Sequence, residues 1–298
     1  MPHGGNPPCA NNKTIKRKVT KLLMNFDVEL VGKIGSMALI DKKDNMIDYT
    51  RVARLSSELK PGYIWISSGA TEIGRLDYMQ RNGGAELPDG EEAKTDYAAQ
   101  GQAILMQTYR QFIRPEYSVR QVLVEHQHFN DPAKSAHLRN LLFRCISQKA
   151  IPIINYNDAI SSEENRRMEI AALARSMAKV HECVDNDETA AQIALLVRSK
   201  RLVILTGVDG IYADPTNPQT LIEKISGKND LELLEQIEGY KKYCEGASRK
   251  GANGAKAKLE YIKDAAANGT LVYIANAKYT LKEILSGQVP CTRIGIDI

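Results

Sequence analysis

The chain has 298 residues, 43% of them apolar and 26% charged, with a formal net charge of +4. Those figures describe an ordinary globular protein, long enough for one large α/β domain or two modest ones. No apolar run approaches the ~20 residues needed to cross a bilayer, and the polar, Pro/Gly-rich start lacks the apolar core of a secretory signal, so a cytoplasmic protein is expected.

The charge is unevenly placed. Residues 1–26 hold Lys13, Lys16, Arg17, Lys18 and Lys21 and no acid, which leaves 35 basic against 36 acidic residues elsewhere. A neutral body argues against a nucleic-acid groove. The basic start is expected to be a solvated, disordered tail preceding a domain at 27–298. The five cysteines, Cys9, Cys145, Cys183, Cys244 and Cys291, are odd in number and lack CxxC spacing. Reduced thiols without a structural zinc site are expected, and packing is the expected role of Cys183.

In chain order, apolar runs alternate with helical patterns. Val28–Val31 reads as a strand ending at Lys33-Ile-Gly-Ser36, and Tyr63–Ile66 as a second ending at Ser67-Ser-Gly-Ala70. Asn82–Gly90 is a Gly/Pro-rich loop. A helical spacing over 94–113 precedes the strand Arg120–Val124, and helix 134–148 leads into the strand Ile151–Ile154, which ends at Asn155-Tyr-Asn-Asp158. A charged, Ala-rich helical pattern occupies 161–181. The acidic cluster Asp185-Asn-Asp187 opens a helical run to Ser199, followed by the strand Leu202–Leu205. A helix begins near Gly254, and Val272–Ile274 and Arg293–Ile296 complete the apolar runs. Strands separated by helices predict a mostly parallel sheet covered on both faces.

Several strand ends carry polar groups, and in α/β sheets ligands sit outside the carboxyl ends of strands. Lys33 before a Gly turn offers a cation to phosphate oxygens, although a lysine in such a segment is more often simply solvated. Ser67-Ser-Gly-Ala70 exposes N–H groups and hydroxyls, as an anion site or as an ordinary cap. Asn155 to Asp158 supplies amides and a carboxylate suited to an ammonium and a carboxylate, or an Asx-rich turn. Gly251-Ala-Asn-Gly-Ala-Lys-Ala-Lys258 places lysines in the first turns of a helix, against its dipole, a cost that an anionic ligand offsets. There is neither a Walker A sequence nor a Gly-x-Ser-x-Gly elbow.

Taken in order with Ala98-Ala-Gln-Gly-Gln102 and Leu205-Thr-Gly-Val-Asp-Gly-Ile-Tyr-Ala-Asp-Pro215, these motifs resemble the amino acid kinase superfamily and, within it, the glutamate 5-kinases. The resemblance runs from about residue 28 to the last residue. It implies a three-layer α/β/α sandwich of the amino acid kinase or carbamate kinase type. An acceptor lobe at about 27–185, an ATP lobe at about 186–298 and a homo-oligomer are implied with it, and the RNA-binding-like PUA domain of many relatives is not expected. The implied reaction is ATP-dependent phosphorylation of the γ-carboxylate of L-glutamate, the first step of proline synthesis. By the same resemblance Lys33, Lys258, Asp185 and Asp209 are catalytic, and Ser68, Asn155, Asp158, Asn186 and Asp187 hold the acceptor. Lys33, Gly35, Ser36, Thr206, Gly207, Gly251, Gly254 and Lys258 contact the nucleotide, whose phosphates carry Mg²⁺ in place of a dedicated metal site.

The chain departs from that pattern at several positions. Gly207 stands where the family has an aspartate, which the resemblance implies organises the two lysines; Asp209 is expected to compensate. Tyr156 replaces a glutamate and Val184 a glycine. Ala252, Asn253, Ala255 and Ala257 replace Thr, Gly, Met and Thr, and the stretch from Asp158 to Asp185 is longer than usual. Two alternatives therefore stay open: a kinase of another small carboxylate or phosphate, and a low-turnover ligand-binding sensor on the same fold.

Overall fold

The computed structural model describes residues 26–161, 163–183, 185–214, 216–242 and 254–298. Its strands are β1 (Leu30–Ile34), β2 (Ile40–Asp41), β3 (Met46–Ile47), β4 (Tyr63–Ser67), β5 (Ser118–Val124), β6 (Ala150–Tyr156), β7 (Arg201–Thr206), β8 (Lys224–Gly227), β9 (Leu271–Asn276) and β10 (Cys291–Ile296). Its helices are α1 (Tyr49–Glu58), α2 (Ala70–Arg81), α3 (Glu91–Phe112), α4 (Gln127–Asn130), α5 (Pro132–Ser147), α6 (Glu163–Leu173), α7 (Asn186–Leu196), α8 (Asp230–Lys241), α9 (Ala255–Ala267) and α10 (Leu281–Ser286).

Eight strands form one sheet in the order β5-β6-β4-β1-β7-β9-β10-β8, while β2 and β3 make a separate hairpin. The sheet is parallel from β5 through β9; β10 runs antiparallel to β9, and β8 follows β10. Strand alternation sorts side chains between two faces. Val31, Ile64, Ile66, Leu202, Ile204, Val272 and Ile274 pack with Leu142 of α5, Ile193 of α7, Ile237 of α8 and Ile262 of α9. Leu30, Trp65, Val203, Leu205 and Tyr273 face the other way, onto Leu55 of α1, Ile73 of α2, Leu105 of α3 and Ile284 of α10. Burial on both faces explains why these strands read as continuous apolar runs.

The α/β/α sandwich of the sequence reading is what the chain forms. Several boundaries and elements differ from it. β1 begins two residues later than expected and continues through Lys33 to Ile34, because the lysine has a buried carboxylate partner; Val28 only bridges Ser199. The helix after the acidic cluster ends at Leu196, before Ser199. The hairpin, α1, β8, α8 and α10 are elements that the sequence reading does not place. The basic start to residue 25, Val184, Cys9, Cys244 and Gly251 lie outside the described residues. Among the described residues no helix is long and apolar enough to cross a membrane.

Candidate active site

Parallel pairing brings three strand ends to one edge. Ile34 of β1 lies opposite Ser67 of β4, and Ile66 of β4 opposite Ile154 of β6, so Gly35, Ser68 and Asn155 emerge together. The end of β4 is held by a buried relay. Trp65 Nε1 donates to the Tyr109 hydroxyl at 3.0 Å, Tyr109 donates to Ser67 Oγ at 2.9 Å, and Ser67 donates to the Ser68 carbonyl at 3.1 Å. Burial pushes the Tyr109 phenol up to about 12, so it stays a neutral donor. Tyr109 lies in the last turn of α3, and only the fold connects it to this edge.

The first turn of α7 is the centre of the site. Asp185 caps the helix, accepting from the Asp187 backbone N–H at 2.7 Å. Asp187 is buried and takes both lysines: Lys33 Nζ lies 2.6 Å from one carboxylate oxygen and Lys258 Nζ 2.8 Å from the other. Burial alone would raise the Asp187 carboxyl, but the ammonium groups of Lys33 and Lys258 together outweigh it and hold the carboxyl below its usual range. Asp185 is shifted the opposite way, upward, by burial first and by the Asp187 carboxylate beside it second. Lys33 comes from a central strand and Lys258 from the first turn of α9, so α7 and α9 both start at the same cation pair. Helix N-termini and two ammonium groups facing one point form an anion site.

The preceding residue, Asn186, opens a second, neutral network. Its amide donates to Ser68 Oγ at 3.0 Å and to Asn155 Oδ1 at 3.0 Å, while Asn155 donates to Gln102 Oε1 at 2.9 Å. Asn186 Oδ1 and Gln102 Nε2 are buried without a partner, leaving one acceptor and one donor to spare. Unsatisfied buried polar groups are costly, and a ligand that pairs them recovers the cost. A small cavity between Ala70, Gln102, Asn155 and Asp158 adjoins them. Burial pushes the Asp158 carboxyl up to about 6, partly offset by the Arg166 charge. Gln102 belongs to a segment noted in the sequence, yet nothing in that sequence marks it as reaching Asn155 from across two elements.

The other expected site residues take no part in these two networks. Thr206 uses its hydroxyl locally, donating to the Val208 carbonyl at 2.8 Å and accepting from the Val208 N–H at 3.1 Å. Thr206 and Gly207 line an open cleft with Met37, Asp41 and Asn276. Gly35 donates to the Leu205 carbonyl at 3.3 Å, and Ser36 begins a 3₁₀ turn. Gly254 is the N-cap of α9. The expectation that Asp209 organises the lysines is corrected: Asp209 sits 3.0 Å from Lys278, and Asp187, assigned to acceptor binding by resemblance, bridges Lys33 and Lys258. The physical reason is reach, since Asp187 starts a helix packed directly over β1 while Asp209 follows β7 in an outward turn. An added Cβ at Gly207 would meet nothing, so packing does not forbid an aspartate there. Cys183 is buried and its thiol is raised well above the ordinary value by burial first and by Glu188 second, surroundings that suit packing and disfavour the thiolate.

A family model described as the amino acid kinase family matches residues 29–276. The chain is 30% identical over 279 residues to a glutamate 5-kinase of Geobacillus thermodenitrificans (strain NG80-2), covering 90% of this chain and 67% of that protein. To the glutamate 5-kinase of Symbiobacterium thermophilum it is 32% identical over 232 residues, 76% of this chain and 78% of that one. Two solved structures share the fold. Carbamate kinase from Giardia lamblia bound to AMP-PNP superposes with a TM-score of 0.55 at 17% identity, covering 92% of this chain and 100% of that one. UMP kinase from Bacillus anthracis gives 0.51 at 12% identity, covering 92% and 97%. The chain spans about two thirds of the length of the Geobacillus relative.

Proposed function

Because the chain belongs to the amino acid kinase family, we propose that it transfers the γ-phosphoryl group of MgATP to the γ-carboxylate of L-glutamate, giving glutamyl 5-phosphate and ADP. The observation that carries this reading is the contact between two chemistries at one helix start. Asp187 joins Lys33 to Lys258, and its neighbour Asn186 joins Ser68 to Asn155.

In the proposed reaction a γ-carboxylate oxygen attacks the γ-phosphorus and the bond to the bridging oxygen of ADP breaks. The nucleophile is already an anion, so no general base is needed. Acceleration then comes from alignment and from charge neutralisation. Lys33 and Lys258 meet the charge on the transferring group, and Asp187, in contact with both, fixes their separation. The neutral amides of Asn186 and Asn155 with Ser68 orient the acceptor without drawing it onto the lysines. Asp158, ionised above pH 6, takes the α-ammonium. The turn at Thr206–Gly207 and the start of α9 take the nucleotide.

The test is ADP release by pure protein with MgATP, with and without L-glutamate, trapping the acyl phosphate with hydroxylamine. Glutamate-dependent ADP release with hydroxamate formation is expected. Release with another carboxylate and none with glutamate replaces the acceptor in this reading, an outcome that Tyr156 in the acceptor loop makes worth measuring. Nucleotide binding without turnover on any acceptor overturns the reading in favour of a sensor.

A further inference from the structure

The long stretch between Asp158 and Asp185 forms α6, an exposed helix with no buried residue. Apolar burial therefore does not hold it; polar contacts to the acceptor side do. The Tyr156 hydroxyl and Ser161 Oγ are 3.2 Å apart. His126 Nε2, itself buried, lies 3.1 Å from Glu169 Oε2. Beyond the helix, Asn130 and His181 exchange two hydrogen bonds, Asn130 Nδ2 to the His181 carbonyl at 2.8 Å and the His181 N–H to Asn130 Oδ1 at 2.9 Å. The Glu163 N–H also reaches the Glu91 carboxylate. Both ends and the middle of the segment are thus tied to neighbouring elements, and its start is tied to Tyr156 of the cavity lining.

Arg166 is the residue of α6 that these ties aim inward. Its guanidinium carbon lies over the Tyr156 ring, 5.6 Å from the centroid, and its charge acts on Asp158, Tyr156 and His126. Tyr156 closes the cavity that holds Asp158 and the spare Gln102 amide. A cation and a carboxylate on one rim, over a neutral amide floor, match a zwitterion: an α-ammonium on Asp158 and an α-carboxylate on the planar guanidinium fork.

We propose that Arg166, carried in by α6, is a specificity residue that binds the α-carboxylate of an α-amino dicarboxylic acceptor. This rests on the kinase reading given above. Loss of a charge-assisted, bidentate contact on a substrate group remote from the reacting atoms weakens binding by about ten- to a hundredfold and leaves kcat within about threefold.

The experiment compares wild type, Arg166→Ala and Arg166→Lys in binding and in ADP release, with L-glutamate and with 4-aminobutyrate, which keeps the amine and the distal carboxylate but lacks the α-carboxylate. Circular dichroism and Tm confirm that each variant is folded, which the exposed position favours. Wild type is expected to prefer glutamate strongly, Arg166→Ala to lose that preference by raising Kd and KM for glutamate alone, and Arg166→Lys to restore part of it. A merely structural role through Tyr156 predicts equal losses on both compounds and overturns the inference, as does wild-type indifference between them. Glutamate binding that depends on Arg166 without ADP release supports the inference while refuting the kinase reading; glutamate-dependent ADP release with KM and Kd for glutamate unchanged in Arg166→Ala does the reverse.

Discussion

At the scale of single residues, Asp187 and Asp158 are two carboxyls that burial raises alike, and only at Asp187 do neighbouring ammonium groups reverse the shift. Asp187 is held ionised by two lysines; removing its charge leaves Lys33 buried and unpaired. Asp187→Asn is expected to lower kcat by about 10²–10³ and to destabilise the protein by about 3–5 kcal/mol, read from steady-state kinetics and urea denaturation. Asp209→Asn, whose partner is Lys278, is expected to keep kcat within about threefold; a hundredfold loss would restore it as the lysine organiser. Asp158 has no ion pair as close, and burial raises it from 3.8 to about 6. Its folded state therefore binds a proton more tightly than the unfolded state. The stabilisation from protonation is complete below about pH 4 and is lost as pH rises through 6. Two pKa units correspond to about 3 kcal/mol. Asp158→Asn should thus be more stable than wild type at pH 7.5 by about 1–3 kcal/mol, with the difference closing below pH 4, while acceptor binding is lost. In wild type, acceptor affinity should fall as pH drops below 6, followed by calorimetric titration. A stable variant that binds glutamate normally would remove Asp158 from the site.

At the scale of elements, packing of α2 on α3 sets where Ser68 and Gln102 meet. A Cβ at Gly74 would sit 1.8 Å from the Tyr97 carbonyl oxygen, and one at Gly101 1.8 Å from the Ala70 carbonyl oxygen. The two backbones touch, so Gly74→Ala or Gly101→Ala must push the helices apart, at a cost of about 1–3 kcal/mol or more. Gly101 precedes Gln102, so its variant should also weaken acceptor binding, whereas a loss of stability alone would limit this contact to packing. α10 offers a control far from the chemistry. Thr280 caps it in a reciprocal box, accepting from the Glu283 N–H at 3.1 Å while Glu283 accepts from the Thr280 N–H at 2.8 Å. Thr280→Ala should cost about 1 kcal/mol with kinetics unchanged.

At the scale of the whole molecule, the sheet divides in chain order but not in its core. Strands before residue 160 fill β5-β6-β4-β1 and later strands fill β7-β9-β10-β8, with β1 against β7 at the junction. The apolar layers cross that junction on both faces: Val31 and Ile64 share one with Leu202 and Ile274, and Leu30 and Trp65 share the other with Val203 and Tyr273. Continuous layers unfold together. A single calorimetric transition is expected, and two resolved transitions would show that the halves are independent. The Lys33–Asp187–Lys258 contact sits across the same junction, since Lys33 belongs to the first half and Asp187 and Lys258 to the second.

The sequence by itself determined the layers and the edge at which the site lies. Strand-length apolar runs between helical periods force a covered parallel sheet, and polar residues at the ends of such runs have nowhere else to go but the carboxyl edge. Lys33, Ser68, Asn155 and Asn186 were legible for that reason, each being an anomaly in an otherwise apolar or turn-forming context. Only the tertiary structure decided which group pairs with which. Asp185, Asp187 and Asp209 are equivalent as letters; one caps a helix, one bridges the buried Lys33 and the half-buried Lys258, and one reaches an outlying Lys278 because backbone direction and burial differ at each. Gln102, Tyr109 and Arg166 entered the site the same way, by contacts between residues 42–53 positions apart or across the face of Tyr156. Local pattern carries periodicity and caps, whereas long-range pairing depends on how helices dock on a twisted sheet.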